Sequence, residues 1–436
     1  MNLECGGSTP LLYPQIATPA LRDSGCFAAR RLAAPILRGV RDAVSIGKRR
    51  RAAALQALRE FGAGIVICML LAPPAAAQPR PAAGEFERLS KQANAAREAE
   101  RLDEAIALYL RALKLKPKWS EGWWYVGSMF YQRDQYREGR DAFRNLAAVD
   151  PKFGTAWTML GLCQFQLSEY DEALRNLRHG NSFGFGDRDE LRRVARYHEA
   201  ILLNRAENYE LAYDVLSRFM DKRSESPEVI VALGLAMLRF PYLPAAIPAA
   251  KREMVFKTGR AAYMAAINRV GDAQREYGEM IAAFSEEPGA HYAYGVFLLR
   301  DSPDAALAEF RRELKLSPNH VAARLQIAFE YIKRSEHAAG LPFAEEAVRL
   351  SPDLFAAHNA LGRILLETGD LDRAIREMET GVRLAPDSPE MYFSLARAYA
   401  RAKRPQDAAR ARAEFARLDK LRRAQRGEGA VSDGKP

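Results

Sequence analysis

Histidine and cysteine are scarce, and what there is of them is badly placed for chemistry. The six histidines, His179, His198, His291, His320, His337 and His358, are scattered, with no two spaced to share a helical face with a carboxylate, so metal binding has no support. Of four cysteines, Cys5, Cys26 and Cys68 lie near the start, and Cys163 stands alone in the rest. A lone cysteine forms no internal disulfide, and as a nucleophile it would need a paired base that nothing singles out. No glycine-rich loop ends in Lys-Ser or Lys-Thr. Gly184-Phe185-Gly186 is followed by Asp187 where a dinucleotide site would need a third glycine, so the stretch is expected to be a turn. No strand alternation competes anywhere. These absences leave no cofactor, no metal and no catalytic constellation to expect, and the chain reads as a non-enzyme.

A period is what the chain does have. Pro117 and Pro151 are 34 residues apart, and Pro318, Pro352 and Pro386 repeat the step. Around them the same slots recur: Trp123, Val126-Gly127, Phe130, Gly139, Phe143 and Leu146 in one unit, then Trp157, Leu160-Gly161, Gln164, Ala173, Leu177 and Gly180 in the next. Spacings of three, four and seven lay these residues along one stripe of a first helix and then of a second. Gly127, Gly161 and Gly362 sit where one helix must approach its partner, and Ala105, Ala173, Ala306, Ala374 and Ala408 fill the facing small slot. Proline lacks the amide hydrogen that a continuing helix needs, so it ends each pair. Trp123 and Trp157, on the stripe, are expected in the core.

An aromatic, then Leu-Gly, a bulky residue, Ala, an aromatic and a late Pro resemble the tetratricopeptide repeat. The pattern covers 86–119, 120–153, 154–187, 287–320, 321–354, 355–388 and 389–422, with single departures such as Gly139, Gly340 and Arg412. The resemblance implies an all-α, right-handed superhelical solenoid of about eight or nine helix pairs. Between the regular blocks, 188–286 is looser: Glu190–Leu203 with Tyr209–Phe219 reads as one pair, Pro227–Leu238 as a first helix, and Lys251–Asn268 with Asp272–Phe284 as another pair. Pro241, Pro244 and Pro248 mark 240–250 as an inserted loop. Because each pair in a solenoid contacts only its neighbours, one elongated domain can exceed the usual size of a single core.

Charge is uneven. Residues 1–77 hold ten Lys/Arg against four Asp/Glu, and 401–426 hold ten against three, so most of the overall +10 sits at the two ends. Lys48-Arg49-Arg50-Arg51, an apolar run of twelve residues from Phe61 to Ala72, and Ala75-Ala76-Ala77-Gln78 have the order of an export signal cleaved after Ala77. The run is shorter than the ~20 residues of a membrane-spanning helix. The expected layout is therefore a removable 1–77, a linker at 78–85, repeats to 422 and a disordered 423–436, with the mature chain periplasmic or extracellular.

In the family that the repeats resemble, first helices line a concave groove. The slots that would face it are Trp124, Ser128 and Tyr131; Thr158, Leu162 and Phe165; Leu325 and Phe329; Asn359 and Arg363; and Phe393 and Arg397. Aromatic side chains give contact area at small entropic cost, and Arg recognises carboxylate in two-pronged fashion, so the lining suits a protein or peptide partner. For Trp124 and Tyr131 the other reading is packing against a neighbouring helix. Asn359, Arg363 and Arg397 are similar to the groups by which some members hold a terminal carboxylate, although the preceding unit has Leu325 and Phe329 where those members carry Lys and Asn. Two alternatives stay open: a cytoplasmic or membrane-surface adaptor using the basic final helix, and a substrate-presenting subunit of a separate enzyme. Nucleic acid is the less favoured partner.

Overall fold

The computed structural model describes residues 81–426 except 186–187, 219 and 221–225. The expected leader at 1–77, the start of the linker, Gly186-Asp187 and the tail from 427 lie outside the described residues. Among the described residues there are 19 α-helices and no strand. The chain divides into two compact units, one ending at Arg252 and the other beginning at Glu253, directly after the proline-rich stretch.

In the first unit α1 (Pro81–Glu98) pairs with α2 (Leu102–Leu115), α3 (Ser120–Gln132) with α4 (Tyr136–Val149), α5 (Gly154–Gln166) with α6 (Tyr170–Ser182), and α7 (Asp189–Arg205) with α8 (Tyr209–Ser217). A single helix, α9 (Pro227–Leu238), packs on α7 and α8. The stretch 240–250 follows as two short 3-10 turns with Ile247 buried and the Lys251 ammonium 4.4 Å from the Phe240 ring centre. In the second unit α10 (Arg252–Ala266) and α11 (Val270–Phe284) are tied by Arg260 to Glu276 at 3.2 Å. Then come α12 (Ala290–Leu298) with α13 (Pro303–Leu316), α14 (Val321–Lys333) with α15 (His337–Leu350), α16 (Phe355–Thr368) with α17 (Leu371–Leu384), and α18 (Pro389–Arg401) with α19 (Pro405–Arg426). Two boundaries move: α1 starts inside the stretch expected as linker, and α19 runs past 422.

The helices form where the sequence stripes put them. In α17 the buried positions are Ala374, Ile375, Met378 and Gly381, a single face, and Asp370 caps the helix by accepting the Arg373 amide at 3.2 Å. Ala105, Ala173, Ala306 and Ala374 are fully buried. Gly161 is required by close approach, since a Cβ there would lie 2.8 Å from Leu177 Cγ and 3.1 Å from the Ala173 carbonyl. Gly139 and Gly340, which depart from the alanine pattern, have a steric reason as well: a Cβ would come within 3.2 Å of Cys163 Sγ in one case and 3.1 Å of Tyr331 Cβ in the other.

One repeating feature has a glycine to announce it at only one of its six positions. Glu100, Asp134 and Ser168, then Ser335, Gly369 and Lys403, are each 34 residues apart and all hold φ between 57° and 94° in the turn inside a pair. The left-handed residue lets the amide after it return to the first helix, as Gln135 does to the Phe130 carbonyl at 3.0 Å and Glu169 to Gln164 at 2.9 Å.

Candidate functional site

The first-helix slots named above divide into two groups. Trp124, Ser128, Tyr131, Thr158, Leu162 and Leu325 are buried, which replaces the expected groove lining with the packing alternative. The reason is aromatic crowding inside the α3–α4 pair and at its junction with α5. Trp124 meets Phe143 of α4 and Phe153 ahead of α5 edge-on at 5.7 and 5.8 Å, and Tyr131 meets Tyr136 at 5.4 Å. The Thr158 hydroxyl donates to the Gly154 carbonyl at 3.1 Å, and Leu162 joins the apolar core. Phe165 is half-buried against Tyr170 and His198.

Trp123 and Trp157 were expected in the core and are half-buried instead. Each donates its indole N–H to the carbonyl of the proline six residues earlier, Pro117 at 2.8 Å and Pro151 at 2.9 Å. The ring thus latches the start of one first helix to the end of the preceding pair. His358 makes the same reach through Nε2 to Pro352 at 2.8 Å while Nδ1 meets Glu377 at 2.7 Å. Periodicity alone placed the tryptophans on the stripe; the polar edge that must stay near a carbonyl moved them to its rim.

The second group stays accessible, in the second unit. Phe329, Asn359 and Arg363 are half-buried, Arg397 is exposed, and Phe393 is 51% exposed beside Phe415 at 5.5 Å. Ser394 donates to Asn359 Oδ1 at 3.2 Å, so α18 holds the Asn359 amide of α16 in place. Glu367 of α16 accepts from Arg397 at 2.7 Å and from Arg401 at 3.0 Å. Arg363 makes no hydrogen bond or ion pair among the described residues. Burial lowers its affinity for the proton, Arg397 beside it adds to that, and Glu367 opposes. Three guanidinium groups therefore share one carboxylate, and the one most removed from water is without a counter-ion.

Sequence reasoning missed two polar devices. Glu313, fully buried on α13, accepts the Gly289 amide at 2.9 and 3.0 Å and the Tyr292 amide at 3.2 Å, which caps α12 from outside that helix. Glu309, one turn earlier, faces His291 Nδ1 at 2.5 Å while His291 Nε2 donates to the Ser285 carbonyl at 2.9 Å. Nothing local in the sequence pairs residues 18 to 24 positions apart. As for chemistry, Cys163 is buried and its surroundings push the thiol strongly toward the protonated form, so it holds no nucleophilic thiolate at neutral pH. Among the described residues no helix is long and apolar enough to cross a membrane, and no three His, Cys, Asp or Glu side chains gather as a metal site.

Paired helices repeated at a period of 34 define a class, the helix-turn-helix repeat array. Within it the tetratricopeptide repeat profile matches residues 90–136, 130–177, 258–321, 325–389 and 359–420, together more than half of the chain, and the chain belongs to that family. A curated relative, the heat-shock protein cognate co-chaperone sgt12 of Aspergillus fumigatus, is 28% identical over 121 residues, which are 28% of this chain and 35% of that protein. The chain thus spans about a third of that relative's length. Among solved structures, MamA of Desulfovibrio magneticus RS-1 superposes with a TM-score of 0.36 at 21% identity over 39% of this chain and 96% of that one. The anaphase-promoting-complex assembly Cut9-Hcn1 gives 0.36 at 11% identity over 78% and 88%.

Proposed function

We propose that the protein is an interaction scaffold whose accessible first-helix face in the second unit, on α14, α16 and α18, takes an acidic, partly apolar peptide segment of a partner protein. Membership of the tetratricopeptide repeat family supports the scaffold. The finer reading rests on Arg363, half-buried beside Arg397 and Asn359 and without an ion pair among the described residues. A carboxylate there would replace lost hydration with charge-assisted hydrogen bonds, and Phe393 and Phe329 offer apolar contact on either side. Arg363→Gln should weaken binding of an acidic aromatic peptide about tenfold or more in a fluorescence-anisotropy titration, with helical content unchanged. Equal affinity of wild type and variant would refute the assignment. Alanine variants of Trp124 and Tyr131 do not test it, since both side chains are buried and report on folding.

Export to the cell envelope is the compartment we propose, on the order of charged, apolar and small residues at 48–78 alone. Mass spectrometry of the native protein tests it: a chain beginning at Gln78 supports export, and retention of 1–77 counts against it.

A further inference from the structure

Of the proline turns that join one helix pair to the next, the one after α2 is charged unlike its equivalents. Positions 114–119 read Lys-Leu-Lys-Pro-Lys-Trp, a net of +3, whereas the same slots at 148–153, 315–320, 349–354 and 383–388 carry 0, +1, 0 and 0. The turn itself does not need the charge. The Lys116 amide donates to the Ala112 carbonyl at 3.0 Å and the Trp119 amide to the Lys116 carbonyl at 3.1 Å, and Asp150 and Phe153 close the turn after α4 in the same way at 2.9 and 3.1 Å. Residues 114–118 are all exposed, Leu115 to 40%. Arg111, also exposed and one helical turn before Lys114, adds a fourth cation, and no Asp or Glu occurs from 105 to 120. The flanking carboxylates face other groups, Glu104 with Arg101 at 2.8 Å and Glu121 with the Tyr125 hydroxyl at 3.5 Å. The arginine-rich final helix differs, because it carries its own carboxylates: Arg404 and Arg410 share Asp407 at 2.7 and 2.6 Å, while Arg417 meets Glu414 and Arg423 meets Asp419 at 2.8 Å.

Cations around an exposed leucine match a surface that is anionic outside and apolar just beneath. Lysine stems lie along apolar matter while the ammonium stays with phosphate, and the leucine enters the acyl boundary. Nucleic acid fits this turn less well. Single strands are held by stacking on bare ring faces, and the Trp119 ring is packed against Phe86 at 5.1 Å, Tyr109 at 5.6 Å and Gly122, where a Cβ would lie 2.4 Å from it. The chain also brings this turn toward a membrane. Lys116 Nζ lies 4.8 Å from the centre of the Phe86 ring, near the start of α1, so α1 begins beside the turn. Only residues 73–80 separate α1 from the apolar run that ends at Ala72, a chain length that reaches at most about 30 Å. We propose that the turn at 114–119, with Arg111, docks the first unit on an anionic phospholipid surface. The turn lies inside the repeats, so it is present with the leader attached or removed, and it stands whether or not the Arg363 face binds.

All four tryptophans, at 119, 123, 124 and 157, lie in the first unit and none in 1–77, so tryptophan emission of the full-length protein reports this unit and not the leader. The probes are vesicles of phosphatidylglycerol and of phosphatidylcholine, both brominated on their acyl chains so that they quench an indole only at short range. Phosphatidylglycerol should quench at low salt, and about 0.5 M NaCl should abolish the effect. Phosphatidylcholine should do nothing. The triple variant Lys114→Gln, Lys116→Gln, Lys118→Gln should need about ten- to a hundredfold more lipid for the same quenching, with helical content unchanged because all three side chains are exposed. Leu115→Gln, which keeps every charge, should weaken it severalfold. The variant Arg410→Gln, Arg417→Gln, Arg423→Gln should match wild type, which separates this turn from the final helix. The proposal is overturned by unquenched emission with phosphatidylglycerol, by equal quenching with phosphatidylcholine, or by a triple lysine variant that behaves like wild type. Polythymidylate or polyglutamate that shifts the emission where vesicles do not would also overturn it, and would give the turn to nucleic acid or to an acidic protein.

Discussion

At the scale of single residues, burial and hydrogen bonding separate side chains that occupy neighbouring positions. Trp124 is buried between Phe143 and Phe153, so Trp124→Ala should cost about 3–5 kcal/mol from lost burial and the cavity left behind. Trp157 is half-buried and bonded to Pro151, so Trp157→Phe should cost about 1 kcal/mol, the worth of the latch. Urea denaturation of the two variants checks the order. His198, 3% exposed, donates Nδ1–H to the Val194 carbonyl at 2.8 Å and packs edge-on against Phe165 at 4.7 Å. Burial moves its pKa from 6.5 to about 4. The folded state then binds fewer protons than the unfolded chain, so stability is full above pH 6.5, falls as pH drops toward 4 and levels off below. The total is of order 3 kcal/mol, and His198→Leu should flatten that slope in pH-dependent unfolding.

At the scale of elements, the turn inside each pair is the part that local propensity opposes. Ser335 sits at φ 61° between α14 and α15, a conformation that an L-residue with a Cβ holds at a cost of roughly 1–2 kcal/mol. Ser335→Gly should therefore raise stability by about 0.5–1 kcal/mol, less than the strain relieved because glycine also loosens the unfolded chain. Thermal melting of the second unit is the measurement, and a lowered melting point would mean that the serine side chain contributes more than its backbone costs. Proline acts between pairs and the left-handed residue within them, so two kinds of punctuation alternate along the chain. The proline is visible as a residue type, whereas among the left-handed residues only Gly369 is; Glu100, Asp134, Ser168 and Lys403 are ordinary surface residues that reveal their role by backbone angle.

At the scale of the whole molecule, stacked pairs bury their apolar faces against immediate neighbours, and stability is transmitted from pair to pair. In the first unit a continuous core runs from Ala93 to Leu202, while the second has its own clusters around Phe310 and around Leu361. Deleting residues 389–426 should therefore loosen α16 and α17, exposing Ile375 and Leu365, and leave amide exchange in α3 to α6 unchanged. Hydrogen exchange resolved by mass spectrometry distinguishes this from a chain that melts as one body. Charge follows the same local logic: Arg334 with Asp304 at 2.5 Å and Arg373 with Glu345 at 2.9 Å join successive units at the surface.

The period of 34, the paired helices, the buried alanines and the family were all legible in the sequence, because helical stripes and a residue that cannot continue a helix repeat in order. The face of the candidate site was legible only in part. Arg363, Arg397, Asn359 and Phe393 remain accessible, whereas Trp124, Ser128, Tyr131, Thr158, Leu162 and Leu325 vanish into the packing. A stripe sets which side of a helix a residue takes; how far it is covered depends on the bulk that the partner helix and the turn after it bring, and Phe143 and Phe153 bring a great deal. Which cation lacks a counter-ion was likewise decided in three dimensions, since Glu367 is taken by Arg397 and Arg401 and, among the described residues, Arg363 is left without an ion pair.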